Sequence, residues 1–356
     1  MRVLSLFDGI AGAKVALDRA GIKYSKYYAS EIDKYAIAVA RVNHPDIVHV
    51  GDVRNLKGED FKGVNLVIGG SPCQDFSVAG KRRGMTTKEK VEITSLEQYL
   101  ELKEAGFEFE GQSYLFWEYV RLLKEIKPQW FLLENVKMPK KWRDVISSAL
   151  GVEPIEINSA LVSAQNRVRY YWTNIPIKGL PEDKGLNLMD IIQDKVDEKY
   201  FLNKEVDIIS PPKGNVCKIV AKLKGVKYEQ TAKIYDITGK SPTLTTMKGG
   251  WRHPKILLDR EKSLCITATY YKTSDLRDYL ERKKRQLIFE ANNGNVRVRR
   301  LTPVECERLQ TFPDGYTEYG NFGGKIKRLS DTQRYRLLGN AFTVDVVAWI
   351  LSHIKK

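Results

Sequence analysis

The sequence predicts an α/β fold: a mixed, mostly parallel sheet with helices on both faces, accompanied by a smaller domain that is mostly β or irregular. Three observations support this. Residues 1–176 alternate strand and helix patterns. Residues 177–297 are rich in Lys, Tyr and Thr with weak periodicity, and helical spacing returns at 302–311 and 343–354. We therefore predict one domain from 1–176 and 298–356, and a second from 177–297.

Short apolar runs and helical spacing follow each other through the first part of the chain. The predicted strands are 3–7, 27–30, 47–50, 65–70 and 130–136, and the predicted helices are 11–21, 33–42 and 113–128. Because ligands bind at the carboxyl ends of strands in such sheets, the residues at those ends are the candidates for function. They are Asp8, Glu31, Asp52, Cys73 and Glu134.

The composition favours a polyanionic partner but does not identify it. The 356 residues are 42% hydrophobic and 29% charged, a globular balance, and the formal net charge is +15. That charge fits nucleic acid binding, but solvated surface lysines would explain it equally well. Four dispersed cysteines show neither metal-ligand nor disulfide spacing. With no signal peptide and no membrane-spanning run, we expect a cytoplasmic protein without a bound metal.

A glycine-rich turn follows the first predicted strand. In Phe7-Asp8-Gly9-Ile10-Ala11-Gly12 the glycines allow a ligand to approach the backbone closely. The dinucleotide fingerprint GxGxxG is absent, so the turn does not favour NAD. A glycine turn alone could serve packing only. The ordered set of Asp8, Glu31 and Asp52 favours a ligand, with Glu31 on a ribose hydroxyl and Asp52 on an adenine amino group.

A cysteine lies on the turn after the fourth predicted strand, in Gly69-Gly70-Ser71-Pro72-Cys73-Gln74. A lone cysteine is more often buried and inert than reactive. Glu134 ends the neighbouring strand, so Cys73 and Glu134 could share a substrate. Arg167 and Arg169 alternate on a strand pattern, which places both on one face. They could bind an anion or carbonyl group, or form surface salt bridges.

Ordered sequence blocks carry a family resemblance over about 1–176 and 298–356. The blocks are FDGIAG, SE, GD, GGSPCQDFSVAG, ENV, QNRVR, RRLTPVECERLQTFPDGY and LLGNAF. In this order they resemble the DNA cytosine-5 methyltransferases. PCQ, QNRVR and GNAF look like the bacterial and phage modification enzymes, whereas VGDVR, VIGGSPC and RYYW are similar to the eukaryotic de novo enzymes.

The resemblance implies a Rossmann-like S-adenosylmethionine-dependent methyltransferase fold and a covalent mechanism. Thiolate attack by Cys73 at C6 of cytosine would make C5 nucleophilic. Glu134, kept protonated, would stabilise charge at N3, and Arg169 with Arg167 in support would hold the base carbonyl. S-Adenosylmethionine would supply the methyl group, no metal would be required, and the target base would be flipped out of the duplex.

The resemblance also implies further roles, residue by residue. The cofactor pocket would be lined by Phe7, Asp8, Gly9, Ile10, Gly12, Glu31, Ile32, Asp52, Val53, Pro72, Leu115, Asn340 and Ala341. DNA would be contacted by Gln74, Ser77, Lys81, Arg82 and Arg83, and in the target-recognition domain 177–297 by Arg252, Thr269 and Lys272. Residues bracing the two domains would be Thr302, Pro303, Glu305 and Leu309. The cysteines expected to be structural are Cys217, Cys265 and Cys306.

The chain departs from the family in the loop after Cys73, since Leu115 lies 42 residues further on. The additional stretch, roughly 86–112, contains a helical pattern. We hypothesise that it extends a mobile loop that closes over flipped DNA. A surface helix indifferent to DNA is an equal alternative.

Two other readings of the whole chain stay open. A tRNA cytosine-5 methyltransferase of the same superfamily would keep Cys73, Glu134 and Arg169, and a catalytically inactive relative could still bind DNA. The sizeable second domain favours double-stranded DNA as the partner. A cognate restriction endonuclease could act separately, and we expect a monomer. A small-molecule methyltransferase would not account for the charge or the second domain.

Overall fold

A computed structural model describes most of the chain. The described residues are 1–72, 84–202, 206–208, 217, 219–223, 232–237, 239–244, 254–258 and 297–354. Among the predicted site residues, Cys73, Gln74, Ser77, Lys81, Arg82, Arg83, Arg252, Thr269 and Lys272 lie outside this set, as does Cys265.

Strands are distributed along the whole described chain. They are β1 (Arg2–Leu6), β2 (Lys26–Ser30), β3 (Val48–His49), β4 (Leu66–Gly69), β5 (Thr86–Thr87), β6 (Phe109–Glu110), β7 (Trp130–Val136), β8 (Ile155–Asn158), β9 (Val168–Thr173), β10 (Phe201–Leu202), β11 (Val206–Ile208), β12 (Ile219–Leu223), β13 (Lys233–Tyr235), β14 (Lys255–Leu258), β15 (Arg297–Arg300), β16 (Tyr319–Phe322) and β17 (Lys325–Arg328).

Seven strands form the central sheet, in the order β3-β2-β1-β4-β7-β9-β8. Every neighbouring pair is parallel except the two pairs that include β9. The order reverses direction between β1 and β4, which opens a crevice at their carboxyl ends. This is the Rossmann-like methyltransferase sheet that the sequence predicted, and the predicted fold class is confirmed.

The α-helices in the described part of the chain are α1 (Gly12–Arg19), α2 (Lys34–Asn43), α3 (Leu96–Glu104), α4 (Phe116–Ile126), α5 (Lys140–Leu150), α6 (Pro303–Leu309), α7 (Asp331–Asn340) and α8 (Val344–Leu351). Local sequence explains their ends. Asp33 caps α2 by accepting from the Tyr35 N–H, and Thr302 and Glu305 form a capping box on α6. None of these helices is both long and apolar enough to cross a membrane.

Both faces of the sheet are covered. Alternating side chains of one strand enter different cores, because successive Cβ atoms point to opposite faces. Val3 packs in a core with α1, α2 and the C-terminal helices, whereas Leu4 packs in a core with α4 and α5. Helix α8 lies against α1, where Arg19 pairs with Asp345 at 2.5 Å.

A second, six-stranded sheet forms within residues 201–300, in the order β10-β15-β14-β13-β12-β11. Strand β15 belongs to it, so a domain boundary between 297 and 298 cuts through a strand, and we propose a boundary after residue 300 instead. Arg299 on β15 forms a fully buried ion pair with Glu305, at 2.7 Å. Glu305 also accepts from the Gln193 N–H, which accords with the bracing role predicted for it.

The additional stretch 86–112 is a folded unit docked on α4. It consists of the β5–β6 pair and α3, and Ile93 and Tyr99 are fully buried in the core beneath them. The Tyr99 hydroxyl and the Lys103 ammonium both donate to the buried carboxylate of Glu118 on α4, at 2.6 and 2.5 Å. This arrangement does not support the hypothesis that the stretch simply lengthens the catalytic loop.

Candidate active site

The carboxyl ends of β1, β4 and β7 meet at one place. In the parallel register Leu6 pairs with Gly69, and Gly69 with Leu133. The glycine turn after β1, the start of the Cys73 segment after β4, and Glu134 on β7 are therefore neighbours. The structure brings together the parts of the site that sequence placed at strand ends, as far as the described residues reach.

Glu134 and Arg169 form the centre of the described site. Arg169 lies on β9, paired with Val136 two residues beyond Glu134. Its Nε is 3.1 Å from Glu134 Oε1, and each side chain is 13% exposed. Arg169 also donates from one terminal nitrogen to the carbonyl of Val168. The pair is mostly shielded from water but still accessible, as a site for a planar base requires.

Two glycines allow the Cys73 segment to leave β4 at this point. A Cβ on Gly69 would lie 2.6 Å from the carbonyl oxygen of Leu6 on the adjacent strand. A Cβ on Gly70 would lie 3.2 Å from Glu134 Oε2 and 3.0 Å from the Phe342 ring. Larger residues would displace the neighbouring strand or the carboxyl group of Glu134. The GG of the GGSPC block is thus a steric requirement.

Asn135 fixes the start of the same segment. Its side-chain nitrogen donates to Ser71 Oγ at 3.0 Å, and both residues are buried. Its side-chain oxygen accepts from the Val136 N–H. The Asn of the ENV block thereby links the glutamate strand to the backbone two residues before Cys73.

The glycine turn after β1 has a strained backbone. Phe7 and Ala11 adopt left-handed conformations, with φ of 57° and 63°, and Gly9 has φ of 60°. A left-handed non-glycine residue costs about 1–3 kcal/mol and tends to occur at ligand sites. Gly12 starts α1 with its Cα close to the rings of Phe312 and Phe342.

Asp8 is buried within this turn. Its Oδ1 accepts from the Tyr27 hydroxyl at 2.5 Å, while Oδ2 is buried without a hydrogen-bond partner among the described residues. Burial raises the pKa of Asp8 to about 7, although the neighbouring Ser5 and Tyr27 hydroxyl groups act in the opposite direction. A buried carboxyl oxygen without a partner is a plausible acceptor for a cationic or N–H group of a ligand.

Glu31 and Ile32 follow β2. One carboxylate oxygen of Glu31 accepts from the Gly9 N–H and the other from the N–H groups of Ile32 and Asp33, all at 2.8 Å. Three donors leave the carboxylate with acceptor capacity for a ribose hydroxyl. The neighbouring Ile32 side chain is 64% exposed. An exposed isoleucine beside this carboxylate suits the face of an adenine ring.

Asp52, which follows β3, differs from the prediction in one respect. Both carboxylate oxygens of Asp52 accept from the Arg54 guanidinium, the shortest contact being 2.5 Å, and this hydrogen bonding lowers the pKa of Asp52. Asp52 is therefore already paired, and an adenine amino group would have to share it with Arg54. The Val53 side chain is buried, and Leu115 is partly buried at the start of α4.

The GNAF block supplies a residue that the sequence analysis did not select. Asn340 is exposed at the end of α7 and Ala341 is buried. Phe342 lies between Gly12 of the cofactor turn and Gly70 of the Cys73 segment, close to both. It separates the two predicted pockets. The only sequence signal was its place in a block already noted.

Arg167 differs from its predicted role. Its buried guanidinium donates to the carbonyl oxygens of Ala341, Leu244 and Gly339, at 3.1, 3.4 and 3.5 Å. The side chain is therefore used to hold the backbone of the GNAF block and of the second region. The prediction placed Arg167 in support of Arg169 at the base carbonyl; its described contacts are with backbone carbonyls instead, so Arg167 is placed to position other segments.

Buried polar side chains connect three of the sequence blocks. The Gln165 amide donates to the Leu309 carbonyl at 3.2 Å, and the Gln310 amide donates to the Leu338 carbonyl at 2.7 Å. The Thr343 hydroxyl donates to the Gln310 side-chain oxygen at 2.9 Å. QNRVR, the TPVECERLQ segment and GNAF are thus held together by hydrogen bonds that are costly to leave unmade.

The described cysteines are placed for packing. Cys306 is fully buried, and burial raises the pKa of its thiol well above the usual value; burial also raises the pKa of Cys217. Among the described residues there is no cluster of three or more His, Cys, Asp or Glu side chains suited to a metal ion.

The predicted cofactor matches the chemistry of this turn. S-Adenosylmethionine carries a cationic methionine part, a ribose and an adenine. The structure offers an unpartnered buried oxygen on Asp8, spare acceptor capacity on Glu31, and the exposed apolar side chain of Ile32. These three groups would hold the cofactor across the ends of β1 and β2.

Comparisons with known proteins identify the family of the chain. The family model of C-5 cytosine-specific DNA methylases matches residues 1–147 and 157–356. The chain is 28% identical to the orphan methyltransferase M.SPBetaI of Bacillus phage SPbeta, covering 99% of this chain and 97% of the relative. It is 27% identical to the type II methyltransferase M1.ScrFI of Lactococcus lactis subsp. cremoris, over 97% and 76% of the two chains.

Solved structures show the same fold. The S. pombe Dnmt2 methyltransferase superimposes with a TM-score of 0.61 over 99% of this chain and 97% of its own, at 16% sequence identity. At this identity the likeness concerns the fold alone.

Proposed function

Since the chain belongs to the C-5 cytosine-specific DNA methylase family, we propose that it methylates C5 of a flipped cytosine within a specific duplex DNA sequence. It is a methyltransferase, and enzymes of this family and fold take the methyl group from S-adenosylmethionine. The observation that carries the proposal is the Glu134–Arg169 pair beside Gly70, three residues before Cys73.

The proposed reaction begins with the Cys73 thiolate. Its sulfur adds to C6 of cytosine, and the electron pair displaced from the ring makes C5 nucleophilic. The Glu134 carboxyl group hydrogen-bonds N3 and Arg169 hydrogen-bonds the carbonyl oxygen, so both stabilise the charge that gathers on the ring. When bound, S-adenosylmethionine supplies the methyl group to C5. A base then removes the C5 proton and the C6–sulfur bond breaks, which restores the ring and Cys73.

Positioning follows from the described contacts. The base would approach the parts of Glu134 and Arg169 that stay accessible, since each side chain is 13% exposed. Phe342 lies between this pocket and the glycine turn, so the base and the methyl donor would meet along the edge of its ring. A shielded pair of this kind strengthens each hydrogen bond to the base relative to water.

Duplex DNA is proposed rather than RNA for three reasons. The net charge of +15 suits a long polyanion. The chain also has a second sheet of six strands, and an enzyme that only had to bind a single base would not need such a region. The phage and Lactococcus relatives bear the names of an orphan and a type II methyltransferase, and the matching family is one of DNA methylases. We retain Gln74, Ser77, Lys81, Arg82, Arg83, Arg252, Thr269 and Lys272 as proposed DNA contacts.

Parallel methylation assays test the proposal. Wild-type protein is incubated with labelled S-adenosylmethionine and either duplex DNA or tRNA, and bisulfite sequencing of DNA from expressing cells identifies the site. We expect label in DNA only, at cytosines in one sequence context. Label in tRNA without label in DNA would move the protein to the RNA-modifying branch of the superfamily.

A further inference from the structure

Residues 240–244 cross from the second sheet onto the catalytic domain. They leave β13 and precede β14, but rather than joining these strands directly they pair with the chain just before β9. We call residues 240–244 the strap. Within the strap, Ser241 forms a parallel β-bridge with Gln165, and both residues are fully buried. No role for the strap follows from the reaction itself.

Lys240 anchors the strap through its ammonium group. The ammonium donates to the carbonyl oxygens of Ala160 at 2.9 Å and Ser163 at 3.3 Å, and also to that of Leu186. Lys240 is 8% exposed, and none of the ion pairs formed within the described part of the chain includes it. One buried cation thus joins the β8–β9 connection, the segment leaving the catalytic domain, and the strap.

The remaining strap residues follow the strand that leads to Arg169. Ser241 exchanges backbone hydrogen bonds with Ala164 and Asn166, both at 2.7 Å. Thr243 Oγ1 donates to the Asn166 carbonyl at 2.7 Å, and the Leu244 N–H donates to the Gln165 side chain at 3.0 Å.

At its far end the strap reaches Arg167. The Leu244 carbonyl accepts from the Arg167 guanidinium, two residues before Arg169. A displacement of the strap would therefore be transmitted through Arg167 toward the strand that carries the base-binding arginine.

A buried ammonium bound only to neutral carbonyls is a poor source of stability. The cost of removing this charge from water offsets much of the stability that its hydrogen bonds contribute. The same ammonium fixes relative positions well, because carbonyl oxygens from the β8–β9 connection and from the segment around Leu186 must both lie within hydrogen-bonding distance of it. This contrast separates a positioning role from a structural one.

We propose that Lys240 is a positioning residue, which fixes the second-sheet region against the strand of Arg169 and so aligns the recognised DNA sequence with the target cytosine. The inference rests on the proposed DNA methylation. It assigns a role in sequence discrimination to a residue that touches neither base nor cofactor in the described contacts.

The test compares Lys240→Met with Lys240→Arg in the full chain. Met removes the charge and keeps the length of the side chain, while Arg keeps the charge and the N–H donors. Lys14→Met is the matched control, since Lys14 is also a buried ammonium but bonds Tyr24 and Asp46 away from the strap. Four quantities are measured: Tm, kcat on the cognate duplex, the kcat/KM ratio between the cognate duplex and one with a single changed base pair, and the Kd of the cofactor.

For Lys240→Met we expect at most a small decrease in Tm, because three carbonyl oxygens lose a donor, an unchanged cofactor Kd, and at least a tenfold loss in both kcat and discrimination. Lys240→Arg should recover most of both, and Lys14→Met should lower Tm while leaving discrimination intact. A lower Tm for Lys240→Met with normal kcat and discrimination would reduce Lys240 to a structural residue, and no change in any quantity would overturn the inference as well. Wild-type protein inactive on all duplex DNA would refute the proposed function before any variant is compared.

Discussion

Arg169 Nε lies 3.1 Å from Glu134 Oε1, across the antiparallel pair β7–β9, and both side chains are mostly buried. The two groups that would bind the base therefore also hold each other in place before any substrate arrives. Such preorganisation reduces the reorganisation needed when charge develops on the ring.

Glu134→Gln should lower kcat by about 100- to 10,000-fold, the usual contribution of a positioned proton-sharing group. Glutamine keeps the size of the side chain but cannot share a proton with N3 of the base. The Kd values for DNA and cofactor should change little. Glu156→Gln is the control, since this residue lies on β8 and pairs with Lys137 at the surface. Equal rates for the two variants would remove Glu134 from the mechanism.

Gly70→Ala should slow methyl transfer without unfolding the protein. The new methyl group would lie 3.2 Å from Glu134 Oε2 and 3.0 Å from Phe342, so one of them must move. We expect about a 10- to 100-fold loss in kcat, typical of small misplacements at a reacting centre. Adding the Phe342→Leu substitution should restore part of kcat, because the smaller side chain leaves room for the new methyl group. A single Gly70→Ala variant with wild-type kcat would contradict the proposed crowding.

Cys73→Ala should abolish methyl transfer while leaving cofactor binding nearly intact. Duplex DNA with 5-fluorocytosine at the target should form a covalent adduct with wild-type protein, because fluorine cannot leave as the C5 proton does. Cys217→Ala should still form the adduct, and Cys73→Ala should not. Mass spectrometry of the protein–DNA mixture detects the adduct by its mass. An intact adduct in the Cys73 variant would point to another nucleophile.

Cofactor affinity should rise with pH around neutrality. Burial raises the pKa of Asp8 to about 7, so the carboxyl group is protonated below that pH and an anion above it. Only the anion attracts the cationic methionine part, so the Kd should fall between pH 6 and 8. Asp8→Asn should flatten this dependence. Calorimetric titration across that range gives the Kd, and a wild-type Kd independent of pH would be inconsistent with a titrating Asp8.

The same titration affects stability in the opposite sense. The folded-state pKa of Asp8 lies above the ordinary aspartate value of 3.8, so the folded protein holds the proton more tightly than the unfolded chain. Between about pH 4 and 7 the Asp8 contribution to the free energy of unfolding therefore declines as pH rises. In the absence of cofactor, Asp8→Asn should be more stable relative to wild type at pH 8 than at pH 4.

The docked stretch 86–112 should weaken DNA binding rather than strengthen it. It contains seven glutamates and three lysines, in a chain with a net charge of +15. Glu97, Glu101 and Glu104 are all exposed on α3. Their joint replacement by Gln should raise affinity for non-specific duplex at low salt and leave kcat unchanged, with the difference vanishing at high salt. Weaker binding after the replacement would support a DNA-closing role for this stretch. Deleting 87–110 is less informative because it would expose the core around Ile93 and Tyr99.

Most of the fold was predictable because short apolar runs are separated by glycine, proline and capping residues. Strand β7 was predicted at its observed bounds, and α2 within a residue at each end. The meeting of Glu134 with the start of the Cys73 segment followed from topology, since adjacent parallel strands end at one edge.

The errors concern partners distant in sequence or hidden by burial. Arg167 binds the carbonyl of Ala341, 174 residues away, and no local pattern reveals such a contact. The docking of 86–112 depends on the buried carboxylate of Glu118, which resembles any surface glutamate of an amphipathic helix until the fold is known.

The contact of Phe312 and Phe342 with Gly12 has a consequence for synthesis of the protein. The turn that would bind the cofactor is translated about 300 residues before the rings that lie against it and before the helix that covers α1. A nascent chain arrested after residue 300 therefore has its central strands but neither ring. We expect the ability to bind cofactor to be acquired only after Phe312 and Phe342 have both been translated and have packed against Gly12.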